Sequence, residues 1–258
     1  MSRAVRAEWT KLRTVPGPGW LLALTVVLTA ALSALAVAVV RCDAAGCGYD
    51  QVRLALTGVQ LGQAPVAVLA VLAVCGEYGT GMIRTSLAAV PRRGTLLAAK
   101  AAVVTVPALA AGVAAVLGAV LAGRLLLPGS GFTPEHGYAP LSLLDGPTLR
   151  AAAGSVLYLG LVALLSVGIA VAVRDAAAAT GAALGLLYLS PLAIRLIGDE
   201  DVQRVLWQLS PVNAGLAVQA TTDAAVLPLS PWAGLGVLAA WAAAALALGV
   251  VLLKRRDA

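Results

Sequence analysis

The stretch Trp20–Val40 has the sequence WLLALTVVLTAALSALAVAVV and contains no charged residue. A helix rises about 1.5 Å per residue, so about 20 apolar residues cross the hydrocarbon core of a bilayer. The whole chain of 258 residues shares this character, with 60% hydrophobic and 12% charged residues, against about 25% charged in soluble domains. With a mean hydropathy of +0.93, the composition excludes a disordered chain, a disulfide-rich miniprotein and an ordinary cytosolic enzyme, and it predicts an integral membrane protein.

Five further uncharged stretches are about as long as a membrane span, so we predict an all-α polytopic protein with a single transmembrane domain, residues 1–258. The predicted spans are 20–40, 54–76, 101–123, 151–173, 176–194 and 231–253. The first is longer than the apolar region of a signal peptide, about 7–15 residues, so we expect it to be retained. The uncharged segment Val205–Thr222 is interrupted by Pro211 and Asn213, which predicts an interfacial or re-entrant segment before the sixth span.

The basic residues predict the orientation of the chain. Six spans put both termini on one side, and twelve of the 18 lysines and arginines fall on that side. They are Arg3, Arg6, Lys11, Arg13, Arg84, Arg92, Arg93, Lys100, Arg174, Lys254, Arg255 and Arg256. Because positive charge is enriched in cytoplasmic loops, we expect both termini to lie in the cytoplasm. We expect the membrane to be the plasma membrane. The same residues flank apolar runs, so the net charge of +6 does not indicate nucleic acid binding.

The cysteines are consistent with this orientation. Cys42 and Cys47 lie in the first predicted outer loop, where a pair of thiols can oxidise. The sequence leaves open a disulfide between them or two unlinked thiols. Cys75, at the inner end of the second span, is expected to be a small packing residue.

Two predicted cytoplasmic segments have sequence patterns that a simple connecting loop does not require. In residues 1–15 a stripe of Met1, Val5, Trp9 and Leu12 alternates with basic residues at helical spacing, which is typical of a helix lying on a membrane surface; a plain basic flank is the alternative. The second segment, 77–100, begins with Glu77 beside a glycine-rich turn. It then holds a predicted short helix, Thr80–Val90. An unpaired charge at the lipid boundary is costly, so this segment has the features of a docking surface for a soluble partner.

The sequence lacks the motifs of several enzymatic and transport mechanisms. The chain has no Gly-x-x-x-x-Gly-Lys-Ser/Thr loop for ATP and no His-Glu-x-x-His zinc helix, so we predict no catalytic residue, no metal site and no cofactor bound by this chain. The span interiors hold almost no ionisable side chain, and this removes the usual relay of proton-coupled transport. If the chain forms a transport path, its energy source must lie elsewhere.

Five segments of the chain stand out by their order and spacing. They are Ala7-Glu8-Trp9-Thr10-Lys11-Leu12-Arg13-Thr14, Gly76-Glu77-Tyr78-Gly79-Thr80-Gly81-Met82-Ile83-Arg84, Pro91-Arg92-Arg93 with Lys100, Ser230-Pro231-Trp232 and Arg255-Arg256-Asp257-Ala258. In this order they resemble the ABC-2 type permeases of ATP-binding-cassette exporters, in particular an Ala-rich actinobacterial branch. The run from Gly76 is the most specific of them. The resemblance extends over nearly the whole chain.

The resemblance implies a set of roles for these segments. The N-terminal stretch would be an elbow helix, with Arg6, Trp9, Lys11 and Arg13. The stretch around Thr80–Val90 would be a coupling helix that docks on a separate ATPase subunit, which would bind ATP and Mg²⁺. The partner-binding residues of this coupling loop would be Glu77, Arg84, Pro91, Arg92, Arg93 and Lys100.

The resemblance also implies a second permease subunit, either another copy or a sister chain, to enclose a path through the bilayer. Thr57, Gln60, Gln63 and Thr180 would be the polar candidates for lining that path, and hydrogen bonds between helices are the alternative role for them. Export as the direction follows from the resemblance alone, and the sequence does not indicate the substrate.

Glu77 also carries a hypothesis of its own. A carboxylate at the inner membrane boundary should pair with a cation, and Arg6, Lys11 and Arg13 are the nearby candidates. Such a pair would join the coupling loop to the elbow helix. Two other readings of the chain remain: a non-transporting membrane protein with this fold, such as an immunity, sensor or assembly factor, and a membrane-embedded enzyme. The absence of a polar constellation within the spans argues against the enzyme.

Overall fold

The computed structural model describes residues 2–42, 47–89, 93–222 and 227–255, and these residues form helices and no strand. Six helical segments in them are long and apolar enough to cross a membrane. They are α2 (Pro16–Val39), α4 (Val59–Gly79), α6 (Arg93–Leu126), α7 (Gly146–Val173), the joined α8 and α9 (Ala176–Arg195) and α12 (Pro231–Arg255). The prediction of an all-α chain with six membrane-spanning segments is confirmed at this level, and it indicates a multi-pass membrane protein.

The other helices are short and lie at the ends of the long ones. They are α1 (Ser2–Thr14), α3 (Gln51–Ala55), α5 (Met82–Ala89), α10 (Glu200–Leu209) and α11 (Pro211–Leu216). The fifth long segment consists of α8 (Ala176–Leu184), a π-helical turn and α9 (Ser190–Arg195). The predicted interfacial segment 205–222 contains the second half of α10, all of α11 and a 3₁₀ turn, Ala217–Gln219.

Two spans differ from their predicted bounds where short helices or cytoplasmic segments were expected to adjoin them. The second was expected over 54–76, but Leu54 and Ala55 belong to α3 and the chain turns before α4 begins at Val59. The third was expected to begin at 101, but α6 begins at Arg93. Helical hydrogen bonds continue past the end of an apolar stretch, so Glu77 and Lys100 lie on long helices rather than in a loop.

Helix α7 lies at the centre of the bundle, where it packs against α4, α6, α8 and α12. Helix α2 packs against α4 and α6, and α1 packs against α6. The connection from α7 to α8 is only Arg174 and Asp175: Arg174 takes a left-handed conformation with φ 67°, and the Asp175 carboxylate caps α8 by accepting from the Ala178 N–H. This end of the bundle therefore has no loop between α7 and α8 large enough for a partner.

Helices α2 and α4 come close together because two glycines at their contact have no side chain. Gly58 precedes α4 and Gly62 lies one turn later, and a Cβ at either position would overlap Thr29 of α2. The Gly58 N–H also donates to the Ser33 hydroxyl of α2, at 3.1 Å. Small residues four apart permit such backbone contact between membrane helices. The second pair of this spacing, Gly181 and Gly185, makes no comparable contact.

At the end of the bundle opposite α5, a disulfide and a carboxylate connect segments of the chain. Cys42 and Cys47 are joined in a disulfide, with their Cα atoms 5.7 Å apart. The Asp50 side chain caps α3 and also accepts from the N–H groups of Thr221 and Thr222, at 2.5 and 3.0 Å. Burial alone would raise the pKa of Asp50, but these hydrogen bonds outweigh burial and lower the pKa below its usual value. Asp50 therefore stays ionised and holds α3 against the segment before α12.

Candidate functional site

Four charged side chains meet at the end of the bundle where α1 and α5 lie. Lys11 contacts Glu8 at 2.9 Å and Glu77 at 2.7 Å, and Lys100 contacts Glu8 at 2.9 Å and Glu77 at 2.7 Å. Each carboxylate thus faces two ammonium groups, and each ammonium group faces two carboxylates. We call Glu8, Lys11, Glu77 and Lys100 the charge cluster; its formal charge is zero.

The charge cluster joins three helices that are distant in sequence. Glu8 and Lys11 come from α1, Glu77 from the last turn of α4 and Lys100 from the third turn of α6. Glu8, Glu77 and Lys100 are buried, whereas Lys11 is partly exposed. Burying a charge is tolerable only when it is paired and hydrogen-bonded, and the alternating arrangement meets that condition. The contact between Glu77 and Lys11 confirms the predicted pairing of Glu77 with a cation of the first helix.

Helix α5 is bound to the charge cluster through Ser86. Its hydroxyl accepts from Lys11 Nζ at 3.2 Å and donates to Glu77 Oε2 at 3.3 Å. Burial alone would lower the pKa of Lys11, but hydrogen bonds and attraction from Glu77 and Glu8 outweigh burial and raise it. Lys11 is therefore a cation at physiological pH.

Two side chains of α5 beside this attachment are exposed. Ile83 is buried, while Met82 is 45% exposed and Thr85, one turn later, is exposed as well. The Thr85 hydroxyl donates to the Met82 carbonyl oxygen at 2.7 Å, within the helix. Helix α5 thus exposes a small, partly apolar surface at Met82 and Thr85, and Met82 also lines a cavity shared with the charge cluster, while Ser86 and Ile83 contact the rest of the bundle.

The other residues predicted for the elbow helix and the coupling loop lie outside the charge cluster, in different surroundings. Arg6 and Arg13 are exposed on α1 and reach neither carboxylate of the cluster, and Trp9 is 39% exposed. Arg93 is half-buried and its guanidinium donates to the Leu253 carbonyl oxygen of α12. Pro91 and Arg92 lie outside the described residues, as does the Arg84 side chain.

The residues predicted to line a transport path separate into two groups. Thr57 and Gln60 are exposed and line a polar cavity of about 630 Å³ at the other end of the bundle. Gln63 is fully buried and its amide oxygen accepts from the Tyr158 hydroxyl of α7. Thr180 is half-buried on α8. The structure therefore places Gln63 in a contact between helices and brings Thr57 and Gln60 together at a surface that water can reach.

Sequence reasoning missed two parts of these sites. The contact of Glu8 with Lys11 could have been predicted, since Glu8 lies three residues before Lys11 and residues at this spacing share a helix face. The burial of Lys100 had no comparable signal, because a lysine close to two arginines has the pattern of an ordinary cytoplasmic loop. Only the long α6, which begins eight residues before the predicted span, carries Lys100 to the carboxylates.

Comparison of the sequence with models of protein families finds no match, and comparison with curated proteins finds none either.

Proposed function

We propose that this chain is the membrane-spanning permease subunit of an ATP-binding-cassette exporter, and that it transmits ATP hydrolysis by a separate subunit to a path through the plasma membrane. In this proposal both termini are cytoplasmic, and a second permease subunit, either another copy or a sister chain, completes the path. The partner ATPase binds ATP and Mg²⁺; this chain binds neither. The observation that carries the proposal is the charge cluster with α5 attached to it.

The charge cluster supports coupling because it connects α5, on which a partner subunit would dock, to helices α1, α4 and α6. These helices would then move together. A force on α5 reaches α4 through Ser86 and Glu77, α1 through Lys11 and Glu8, and α6 through Lys100. Helices α4 and α6 are two of the six long segments. A loop that only connected two spans would not require a buried four-charge contact, since buried ion pairs contribute little net stability.

The proposal assigns the docking surface to the exposed side chains of α5, Met82 and Thr85. Glu77 and Lys100 then position α5 from within the protein instead of touching the partner, which changes the role expected from the sequence. Arg92 remains a proposed contact of the partner. The short connection between α7 and α8 supports this assignment, because among the described residues at this end α5 is the short helix that connects two long segments.

The other short elements fit the same proposal. Helix α1 would be the elbow helix, lying along the inner membrane surface with Trp9 exposed to the lipid interface and Arg6 and Arg13 toward headgroups and water. Helices α10 and α11 would be the outer segment before the last span. The exposed apolar faces of α2 and α12 face lipid or the second permease subunit.

The proposal predicts that an ATPase co-purifies with this chain and that Met82→Glu removes it. The tagged chain would be isolated from native membranes in mild detergent and assayed for ATP hydrolysis. A carboxylate at Met82 adds a negative charge to the proposed docking surface, so we expect at least a tenfold loss of bound ATPase. Leu144→Glu is the matched control, because Leu144 is 95% exposed at the other end of the bundle.

Three results would count against the proposal. They are a folded wild-type chain that purifies without ATPase, an ATPase retained in full by Met82→Glu, and equal losses in both variants. The first would favour a non-transporting membrane protein, such as an immunity, sensor or assembly factor.

A further inference from the structure

A polar cavity of about 630 Å³ opens between short helices at the end of the bundle away from the charge cluster. Its walls come from α3, the start of α4, α9, α10, α11 and the residues that follow them. The volume lies within the range of small-molecule sites, about 300–1,000 Å³. We call it the arginine cavity, after Arg53, Arg195 and Arg204 in its lining.

The three arginines reach the cavity from three different helices, α3, α9 and α10. All three are exposed. Within the described part of the chain, Arg53 and Arg195 form no ion pair, and Arg204 contacts only the exposed carboxylate of Asp201, at 3.4 Å. Glu200 is the lining carboxylate among the described residues and forms no ion pair there. The described lining thus has an excess of two positive charges.

The carboxylate of the adjoining cavity is already occupied. Asp50 lines the adjoining cavity, which shares Arg53 and Thr57 with the arginine cavity. The Asp50 carboxylate accepts from the N–H groups of Val52, Arg53, Thr221 and Thr222 and from the Thr221 hydroxyl. These bonds use its lone pairs in holding the backbone, so the Arg53 guanidinium remains available to a ligand.

The rest of the cavity wall is both polar and apolar. Thr57, Gln60, Gln203 and Asn213 offer hydrogen-bonding groups, and other lining residues are apolar. We call the apolar lining residues the apolar wall; they are Ile194, Trp207, Leu216, Leu227 and Pro228. A ligand that satisfies both kinds of lining has an anionic head for the arginines and an apolar part for this wall.

We infer that the arginine cavity binds an amphiphile with a phosphate headgroup, held by Arg53, Arg195 and Arg204 against the apolar wall at Trp207. Guanidinium groups bind phosphate oxygens through paired, directed hydrogen bonds. The cavity also lies at the end of the long helices, where a lipid-like molecule presents its headgroup. The inference concerns binding alone and holds whether or not the chain is coupled to an ATPase.

The test is a titration of the full-length chain, purified in an uncharged detergent, with three probes. Dihexanoyl phosphatidic acid has both the phosphate and the apolar chains, glycerol 3-phosphate has the phosphate alone, and dihexanoyl phosphatidylcholine has no net charge. Binding would be followed by tryptophan fluorescence, with Trp207→Phe to assign the signal. We expect saturable binding of phosphatidic acid, at least tenfold tighter than that of either other probe.

The variant Arg53→Gln/Arg195→Gln should weaken this binding at least tenfold, and it should keep the thermal unfolding temperature because neither guanidinium has a partner in the described residues. Arg124→Gln is the matched control, an exposed arginine near the same end and outside the cavity lining. Equal affinity for glycerol 3-phosphate would overturn the amphiphile. Equal affinity for phosphatidylcholine, or an unchanged affinity in the double variant, would overturn the anion site.

Discussion

Replacing Glu77 with Gln is expected to reduce ATPase activity coupled to this chain while the protein still inserts into the membrane. The substitution leaves Lys11 and Lys100 facing the single carboxylate of Glu8, so the charge cluster gains one uncompensated positive charge. Removing one partner of a buried ion pair costs about 3–5 kcal/mol. We expect a loss near the lower limit, since Glu8 still contacts both lysines. Thermal unfolding in detergent and ATP hydrolysis by the co-purified complex measure the two effects.

A double variant separates charge balance from simple damage to packing. Glu77→Gln/Lys100→Gln removes one charge of each sign and leaves the Glu8–Lys11 pair, so its stability loss should be smaller than the sum of the two single losses. Glu135→Gln is the matched control, because Glu135 is exposed between α6 and α7, at the other end of the bundle from the charge cluster. Full ATPase coupling in Glu77→Gln would contradict the role given to the cluster. Additive losses in the double variant would contradict the alternating ion-pair arrangement.

Adding a methyl group at Gly58 or Gly62 is expected to separate α2 from α4. The Cβ of Gly58→Ala meets the Thr29 carbonyl oxygen, and that of Gly62→Ala meets the Thr29 hydroxyl. Overpacking of this kind costs about 1–3 kcal/mol per site. At Gly58 the obstacle is backbone, which cannot rotate away, so we expect the larger loss there. The measurement is the midpoint of thermal unfolding of each purified variant.

Gly181→Ala provides the control for the glycine prediction. Gly181 has the same spacing to Gly185 as Gly58 has to Gly62, but a Cβ at Gly181 meets nothing within 4 Å. The substitution should be neutral or slightly stabilising, because alanine has the higher helix propensity. If Gly58→Ala and Gly62→Ala unfold at the wild-type temperature, the close approach of α2 and α4 is not as described. A loss in Gly181→Ala of similar size would mean that helix chemistry alone causes the effect.

The number of long helices could be predicted from hydropathy alone, because each span needs about 20 apolar residues wherever it packs. Helices α1 and α5 were also expected, from the helical stripe in 1–15 and from the turns around 80–90. The break between α3 and α4 was not expected, since the residues around Gly58 are as apolar as a span interior. Asp50 caps the start of α3, and its other partners, Thr221 and Thr222, lie 171 and 172 residues further along the chain.

The candidate site was predictable only in part, because its contacts join distant segments. Glu77 was singled out from its position at a membrane boundary, and one of its partners, Lys11, was among three candidates. Lys100 was expected to contact a partner protein, and its burial against Glu8 and Glu77 depends on the start of α6. The arginine cavity had no local signal, since its three arginines come from three separate helices.

The central claim is that α5 contacts a separate ATPase, and cross-linking from Thr85 tests it most directly. Thr85→Cys would be modified in native membranes with a thiol-specific photoreactive reagent, and the adducts identified by mass spectrometry. Leu144→Cys, at the other end of the bundle, is the control. The account predicts an adduct between Cys at position 85 and a protein with a Gly-x-x-x-x-Gly-Lys-Ser/Thr loop, absent from the control. A Thr85→Cys protein that is labelled but gives no such adduct would contradict the account.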